Sequence, residues 1–284
     1  MPTETVYGLA ADASNDDAVR QVFTVKGRPT GHPLIVHIGT ITDLNVWSSH
    51  VPAAAQALAD ACWPGPLTVL VPKADHVSRV VTGQRDTVGL RVPAHPMALE
   101  LLARFGGGLA APSANRFGHV SPTTAAHVRS DLGDAVDLVL DGGACPIGVE
   151  STIVDCTCVP AQVLRPGGIP TEEVHRLLEG AVTSSSGLSR ASGMLTSHYS
   201  PRCTVEVADT LEGATERAES LAADGTRVDI LDPTADLVAA AQGLYVWLRD
   251  ADDRNLQVVI AVLPPPVGLG HAIRDRLIKA AGLG

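Results

Sequence analysis

Aromatic residues are scarce in this chain: three Phe, three Tyr and three Trp make up 3% of its 284 residues. That supply is too small for the stacked aromatic platforms that hold single-stranded nucleic acid, and it leaves Ala, Val and Leu to fill the interior. Positive charge is also short, with 21 Lys and Arg against 31 Asp and Glu and a formal net charge of −10. Non-specific polyanion binding needs a dense basic surface, so that class is excluded, while a local basic pocket for a small anion is not. Five cysteines (Cys62, Cys145, Cys156, Cys158 and Cys203) are an odd number and form no dense framework. With a start unlike a signal peptide, they point to a reduced, cytoplasmic setting. Cys156-Thr-Cys158 is half a metal motif, but no second pair or histidine cluster stands at zinc spacing, so no protein-bound metal is expected. No apolar run is long enough to span a bilayer, and a soluble protein follows.

What the chain does have is 45% hydrophobic residues and enough length for one large domain or two unequal ones. LIVHI (34–38), LTVLVP (67–72), VGLRVP (88–93), LAAPS (109–113), DLVLD (137–141) and STIVDC (151–156) read as strands. Between them DDAVRQVF, AAAQALADACW, PMALELLARFG and TTAAHVRSDLG carry helical periodicity, with Asp16 and Thr123 at N-cap positions. This interleaving predicts an α/β architecture around one sheet. The Ser- and Gly-rich stretch 181–194 has no apolar period and reads as a linker or loop. Beyond it TVEVAD, RVDILD and VVIAVLP alternate with helical segments that end in GHAIRDRLIKAAG, which predicts a small parallel sheet with crossover helices. The expected organisation is a first domain over 1–180, a linker over 181–202 and a second domain over 203–284.

Four polar clusters stand out in the first domain. PTETVYGL (2–9) sets hydroxyls at Thr3, Thr5 and Tyr7 before a glycine, a pattern that a capped turn explains equally well. In VKGRPTGHPLIVHI (25–38) Lys26 and Arg28 are two residues apart and share a face of an extended segment. A compact ammonium beside a planar donor fork suits phosphate oxygens, though a solvated helix end would also favour cations. LAAPSANRFGHVSPT (109–123) presents uncharged donors and acceptors at Ser113 and Asn115 among small residues, as a ligand site or as an ordinary turn. DGGACPIGVESTIVD (141–155) combines glycines with Ser151-Thr152 at the start of a strand, and Glu150 there could bind a metal or simply cap. Arg91 in VGLRVP and Arg165 in VLRPGG sit among apolar neighbours, where an arginine needs an anion, either an internal carboxylate or a ligand's. No acid run accompanies them, which points to an anionic substrate. GxxxxGK[ST], G-x-S-x-G and HExxH are absent.

Taken in order, PTETVYGL, KGRP followed by PLIVHI, WPGPLTVLV, VGLRVPAHP, APSAN, SPT, DGG, GVESTIVD and VLRPG resemble the YrdC-like threonylcarbamoyl-AMP synthases. HYSP (198–201) and the C-terminal unit resemble the longer, two-domain subtype. The resemblance implies a twisted mixed α/β sheet with a basic concave cavity, followed by a small Rossmann-like α/β domain. It implies formation of threonylcarbamoyl-AMP and pyrophosphate from L-threonine, bicarbonate or CO2, and ATP with its Mg2+. The adenylate would pass to separate partner proteins that modify adenosine beside the anticodon of tRNA, with tRNA touched weakly or indirectly. By resemblance, Lys26, Arg28, Ser113 and Asn115 form a KxR/SxN catalytic tetrad. Lys26, Arg28, His32, Asn115, Ser121, Arg165 and Tyr199 fall on the ATP side, and Thr3, His37, Arg91, Ser113 and Ser151 on the threonine side. The second domain is assigned a lid or regulatory role through HYSP.

Two departures accompany the resemblance. The family places a helix and a strand ahead of PTETVYGL, where this sequence has only Met1. On that expectation either translation starts upstream or this form lacks an edge helix and strand of its sheet. His32 stands where the family commonly has Asn, which predicts a pH-dependent contact. An RNA-binding module without catalysis, an ATP-binding homologue without catalysis, and the carbamoyl-transfer protein of hydrogenase maturation are the alternatives. The last carries acylphosphatase-like and zinc-finger segments, and neither occurs here.

Overall fold

LTVLVP, rich in β-branched and aliphatic residues, folds as the strand Leu67–Pro72 in the interior of an eight-stranded mixed sheet. In the computed structural model, which describes residues 1–184 and 199–283, the strands of this sheet are β1 (Ala11–Asp12), β2 (Ile35–His37), β3 (Leu67–Pro72), β4 (Thr87–Arg91), β5 (Leu109–Ala110), β6 (Thr152–Asp155), β7 (Ala161–Arg165) and β8 (Val182–Ser184). They lie in the order β1-β5-β2-β4-β3-β6-β7-β8. The β2–β4, β3–β6 and β7–β8 pairs are parallel and the others antiparallel.

Register decides which side chains reach the site. Ile35 lies opposite Gly89 and His37 opposite Arg91, while Thr68 lies opposite Ile153 and Ile153 opposite Arg165. Successive residues of a strand face opposite ways, so these residues and Ser151 share one face, Arg165 joining them through a register shift that sets it opposite Ile153 while Val163 lies opposite Val154. Val36, Leu67, Val69, Val71, Val88, Leu90, Val154 and Val163 turn to the other face and join the main core. Helices are α1 (Asp16–Lys26), α2 (Leu44–Trp47), α3 (Ala53–Cys62), α4 (Pro96–Phe105), α5 (Ala125–Leu132) and α6 (Thr171–Leu177). Leu58 and Ala59 of α3 and Val174 of α6 belong to that same core.

Several local expectations shift. The caps are Asn15 and Thr124 rather than Asp16 and Thr123, because each of these neighbours can accept from the first helical amides and the backbone turn selects one. DLVLD is not a strand: it follows a 3-10 turn at Gly133–Ala135, finds no ladder partner and leaves Leu138 exposed. β-propensity is insufficient without a partner strand. LAAPS keeps only Leu109–Ala110 as strand, because Pro112 offers no amide, and its carbonyl accepts from Leu9 N instead. β1, β7 and β8 were not anticipated. β8 uses the first residues of the expected linker, of which 185–198 lie outside the described residues.

The second sheet is parallel throughout, in the order β10-β11-β9, from β9 (Thr204–Ala208), β10 (Val228–Leu231) and β11 (Val258–Val262). Its crossovers are α7 (Leu211–Ala223) and α8 (Leu237–Asp253), and α9 (Gly270–Ala280) follows β11. In VVIAV, Ile260 and Val262 pack with Ala214 of α7, whereas Val259 packs with Ala251 of α8. A strand covered on both faces therefore reads as an unbroken apolar run.

The two sheets are joined by a shared apolar cluster. Val6, Val120, Val149 and Tyr199 pack with Ala241, Leu244, Tyr245 and Leu248 of α8 and with Ile273 and Leu277 of α9. Each large aliphatic side chain buried there contributes about 1.5–3 kcal/mol. Gly148, at φ +81°, allows the approach, since a Cβ there would lie 2.3 Å from the Ala241 carbonyl oxygen. Among the described residues no helix is long and apolar enough to cross a membrane.

Candidate active site

The face of the large sheet that carries His37, Arg91, Ser151 and Arg165 floors an open cavity of about 560 Å3. Thr3, Thr5 and Gly8 line one wall, Arg28 and Ser113 another, and Glu150 and Tyr199 complete it. Thus Thr3, Arg28, His37, Arg91, Ser113, Ser151, Arg165 and Tyr199, all named from sequence, come together. Lys26, His32, Asn115 and Ser121 do not line the cavity.

On the Thr3 side the polar groups are tied down within the protein. Thr3 Oγ1 donates to the Val6 carbonyl at 2.6 Å and accepts from the amides of Thr5 and Val6 at 3.2 and 3.3 Å. PTETVYGL is therefore a hydroxyl-closed turn, further fixed by Tyr7, whose OH donates to Gly143 O at 2.7 Å. Arg91 finds an internal counter-charge: its Nη2 lies 2.6 Å from Glu4 Oε1, both side chains being buried. Arg91 Nε also donates to Gly65 O, and Glu4 Oε2 accepts from Ala94 N. The expectation that a substrate carboxylate answers Arg91 thus meets a pair already formed. His37 is buried beside it; burial, then Arg91, lowers its pKa to about 3, so it is a neutral imidazole at neutral pH. Its Nδ1 makes no hydrogen bond in the protein.

The other side gathers cations. α1 ends at Gly27 in the left-handed conformation, φ +66°, which turns the chain so that Lys26 points inward and Arg28 follows it. Lys26 Nζ donates to the carbonyls of Ser113 and Asn115 and to Asn115 Oδ1. It holds the APSAN turn from beneath and does not face the cavity. Burial, with Arg28 adding to it, pushes its pKa well below the usual lysine value. Asn115, also buried, donates to the carbonyls of Arg116 and His119 and accepts from Ser113 Oγ at 2.5 Å. Lys26 and Asn115 therefore shape the wall that presents Ser113. Arg28 is buried, its guanidinium 5.8 Å from the Phe117 ring centre, and burial together with Arg165 brings its pKa down to about 10. Arg165 Nη2 donates to the Ser151 carbonyl at 2.8 Å and to Ser151 Oγ at 3.2 Å.

His32, expected on the nucleotide, is half-buried behind this wall with its ring 5.6 Å from Phe117; burial, then Arg28 and Arg85, lowers its pKa. Ser121 is completely buried and donates to Glu150 Oε1 at 2.7 Å.

Glu150, read from sequence as a cap or a metal ligand, is held by donors of the protein itself. It also accepts from Tyr245 OH at 2.8 Å and from Arg276 Nε at 2.7 Å, both in the second domain. Burial alone would raise its pKa; Arg276, Arg165 and Ser121 reverse this and bring it down to about 2. Tyr199 is buried at φ +66°, its ring stacked on Tyr245 at 5.8 Å with Arg276 5.1 Å over it, and burial raises its phenol to about 12. Sequence reasoning missed Glu4, Tyr245 and Arg276. A signal existed for Arg276: Ala272, Ile273, Leu277 and Ala280 form the buried stripe of α9, and Arg276 falls inside it.

Comparison with known proteins agrees with this geometry. Residues 1–167 match the Sua5, YciO and YrdC family model, described as telomere recombination, and residues 169–282 match the model of the threonylcarbamoyl-AMP synthase C-terminal domain. The chain is 39% identical over 304 residues to threonylcarbamoyl-AMP synthase of Pyrococcus abyssi, with 99% of this chain and 89% of the relative covered. It is 40% identical over 310 residues to the Bacillus subtilis protein of that name, covering 99% and 88%. The crystal structure of P. abyssi Sua5 complexed with L-threonine matches with a TM-score of 0.94 at 38% identity, covering 99% of this chain and 89% of that one.

Proposed function

The chain belongs to the two-domain Sua5/YrdC family of threonylcarbamoyl-AMP synthases, and from that premise we propose how its cavity forms threonylcarbamoyl-AMP. L-threonine and ATP are the substrates, and bicarbonate or CO2 supplies the carbamoyl carbon. The neutral amine of threonine adds to CO2 and loses a proton, giving a carbamate. A carbamate oxygen then bonds to the α-phosphorus of ATP, the bond to the β-phosphate oxygen breaks, and pyrophosphate leaves. The carbamoylated adenylate goes on to a protein that transfers the group to adenosine in tRNA.

The observation that supports this most is the division of one cavity into two electrostatic halves. Arg28 on one wall and Arg165 on the floor lie near each other, with Lys26 behind Arg28, in a region where burial strengthens every charge interaction. Charge on the transferring and leaving phosphates is stabilised there. Thr3, His37 and Ser151 form the other half. His37, a neutral imidazole, lines this half without competing for the threonine carboxylate. Glu150, the cavity's carboxylate, is already engaged by three donors, so we take Mg2+ to arrive with the triphosphate as part of the substrate. Positioning of two reactants carries much of the rate.

The test is release of pyrophosphate from ATP by the purified chain, with the adenylate identified by mass. Release that requires both L-threonine and bicarbonate is the expected result. Release indifferent to threonine, or ATP binding with no turnover, would overturn the synthase reading in favour of a non-catalytic ATP-binding homologue.

A further inference from the structure

The second domain contributes to the cavity through a buried cluster that the reaction above does not use. Arg276 of α9 is completely buried. Its Nε donates to Glu150 Oε2, its Nη2 donates to the Pro166 carbonyl at 3.1 Å, and Asp275 pairs with Nη1. The same guanidinium lies over the ring of Tyr199, and Tyr245 of α8 stacks beneath that ring while its hydroxyl reaches Glu150. Glu150 and Tyr199 both line the cavity. Through its backbone Glu150 holds Gly168 N, and the next residue, Ser151, holds Arg165 by its carbonyl and its hydroxyl. A displacement of the Glu150 carboxylate is therefore passed on to Ser151 and Arg165. Loss of the cation above Tyr199 releases a ring held at positive φ, a conformation a non-glycine residue keeps only under external constraint.

We propose that Arg276 and Tyr245 are positioning residues of the adenylate-forming site, acting through Glu150 and Tyr199 to set the nucleotide-side wall, so that second-domain docking is part of ATP recognition. This rests on the synthase reading and deepens it. Neither residue touches substrate. Both act by fixing groups that do, and a buried network of this kind is coupled rather than additive.

A double-mutant cycle on the full chain separates positioning from mere cohesion of the domains. Arg276→Gln leaves the Glu150 carboxylate buried without its main partner, and should lower the thermal midpoint and raise KM for ATP by about tenfold or more. Adding Glu150→Gln removes the uncompensated charge and should restore the midpoint. KM for ATP should stay raised about tenfold, because Tyr199 still lacks its cation. Tyr245→Phe keeps the ring stack and removes only the hydroxyl, and should raise KM by about threefold with kcat little changed. A double variant that regains both the wild-type midpoint and the wild-type KM would show that Arg276 only holds the domains together, and the proposal would fall. ATP affinity measured by calorimetry on the same proteins keeps the two readings apart. A wild type that binds ATP but releases no pyrophosphate counts against the synthase, while the variants' affinities still decide this inference. A wild type that binds no ATP overturns both.

Discussion

Arg91 and Arg28 look alike in the sequence and differ in the folded protein. Each is an arginine beside an apolar strand segment, each is buried, and each lines the same cavity. Arg91 is matched by Glu4 at 2.6 Å, so that half of the cavity is electrostatically closed before any ligand arrives. Arg28 instead donates to the Pro33 carbonyl and lies near Arg165 and Lys26; burial, with Arg165 adding to it, lowers its proton affinity, and Arg28 in turn lowers that of Lys26. A buried cation that meets its carboxylate at home supports the fold, whereas cations gathered together favour an incoming anion.

The comparison is broken most directly at Arg28. Arg28→Ala should cut threonine-dependent pyrophosphate release by about 10²–10³-fold, with a smaller fall in the unfolding midpoint than Glu4→Gln gives. A large loss of stability with normal turnover would place Arg28 with Arg91 instead. Next in size is Glu4→Gln, which leaves Arg91 buried and unpaired and should cost about 3–5 kcal/mol in denaturant unfolding. A cost under about 1 kcal/mol would mean Arg91 is freer for a substrate carboxylate than the pair suggests.

The third outcome is a pH effect at His37, whose folded pKa of about 3 lies below its unfolded value. Between those two pH values the unfolded chain holds a proton that the folded one does not, so stability is present above the unfolded pKa, near 6.5, and is lost as pH falls toward 3. The slope is about 1.4 kcal/mol per pH unit. His37→Gln should flatten that part of the profile, and an unchanged slope would assign it to other groups. Smallest is Ser121→Ala: removing one donor from Glu150 should cost about 1 kcal/mol. ATP affinity should move less than about threefold, since the hydroxyl does not reach the cavity. A larger loss of affinity would return Ser121 to the nucleotide.

Much of the architecture was legible because it is written in short-range patterns. Short apolar, β-rich runs located β3, β4, β6 and β11, and helical spacing located α3 and α4 to within a residue and the start of α1. The failures share one cause. DLVLD has strand composition and no strand beside it, while AQVLR and VTS are strands because β6 and β7 offer them edges. In the site, the motif residues gathered on one cavity, but Lys26 and Asn115 turned out to hold its wall, and Ser121 to hold Glu150. A list of polar residues does not say which of them face inward.

By itself the sequence determined the α/β alternation, the strand segments that hold His37 and Arg91, and the ordered motifs of the family. Those depend on neighbours two to four residues away, and their period survives in one dimension. Only the tertiary structure decided the partner of each buried charge. Glu4 reaches Arg91, Lys26 reaches carbonyls 87 and 89 residues on, and Arg276 reaches Glu150 from 126 residues away in the other domain. Charges choose partners by distance through space, and burial makes that choice costly to change, so the roles of the four arginines follow from packing and not from their positions in the chain.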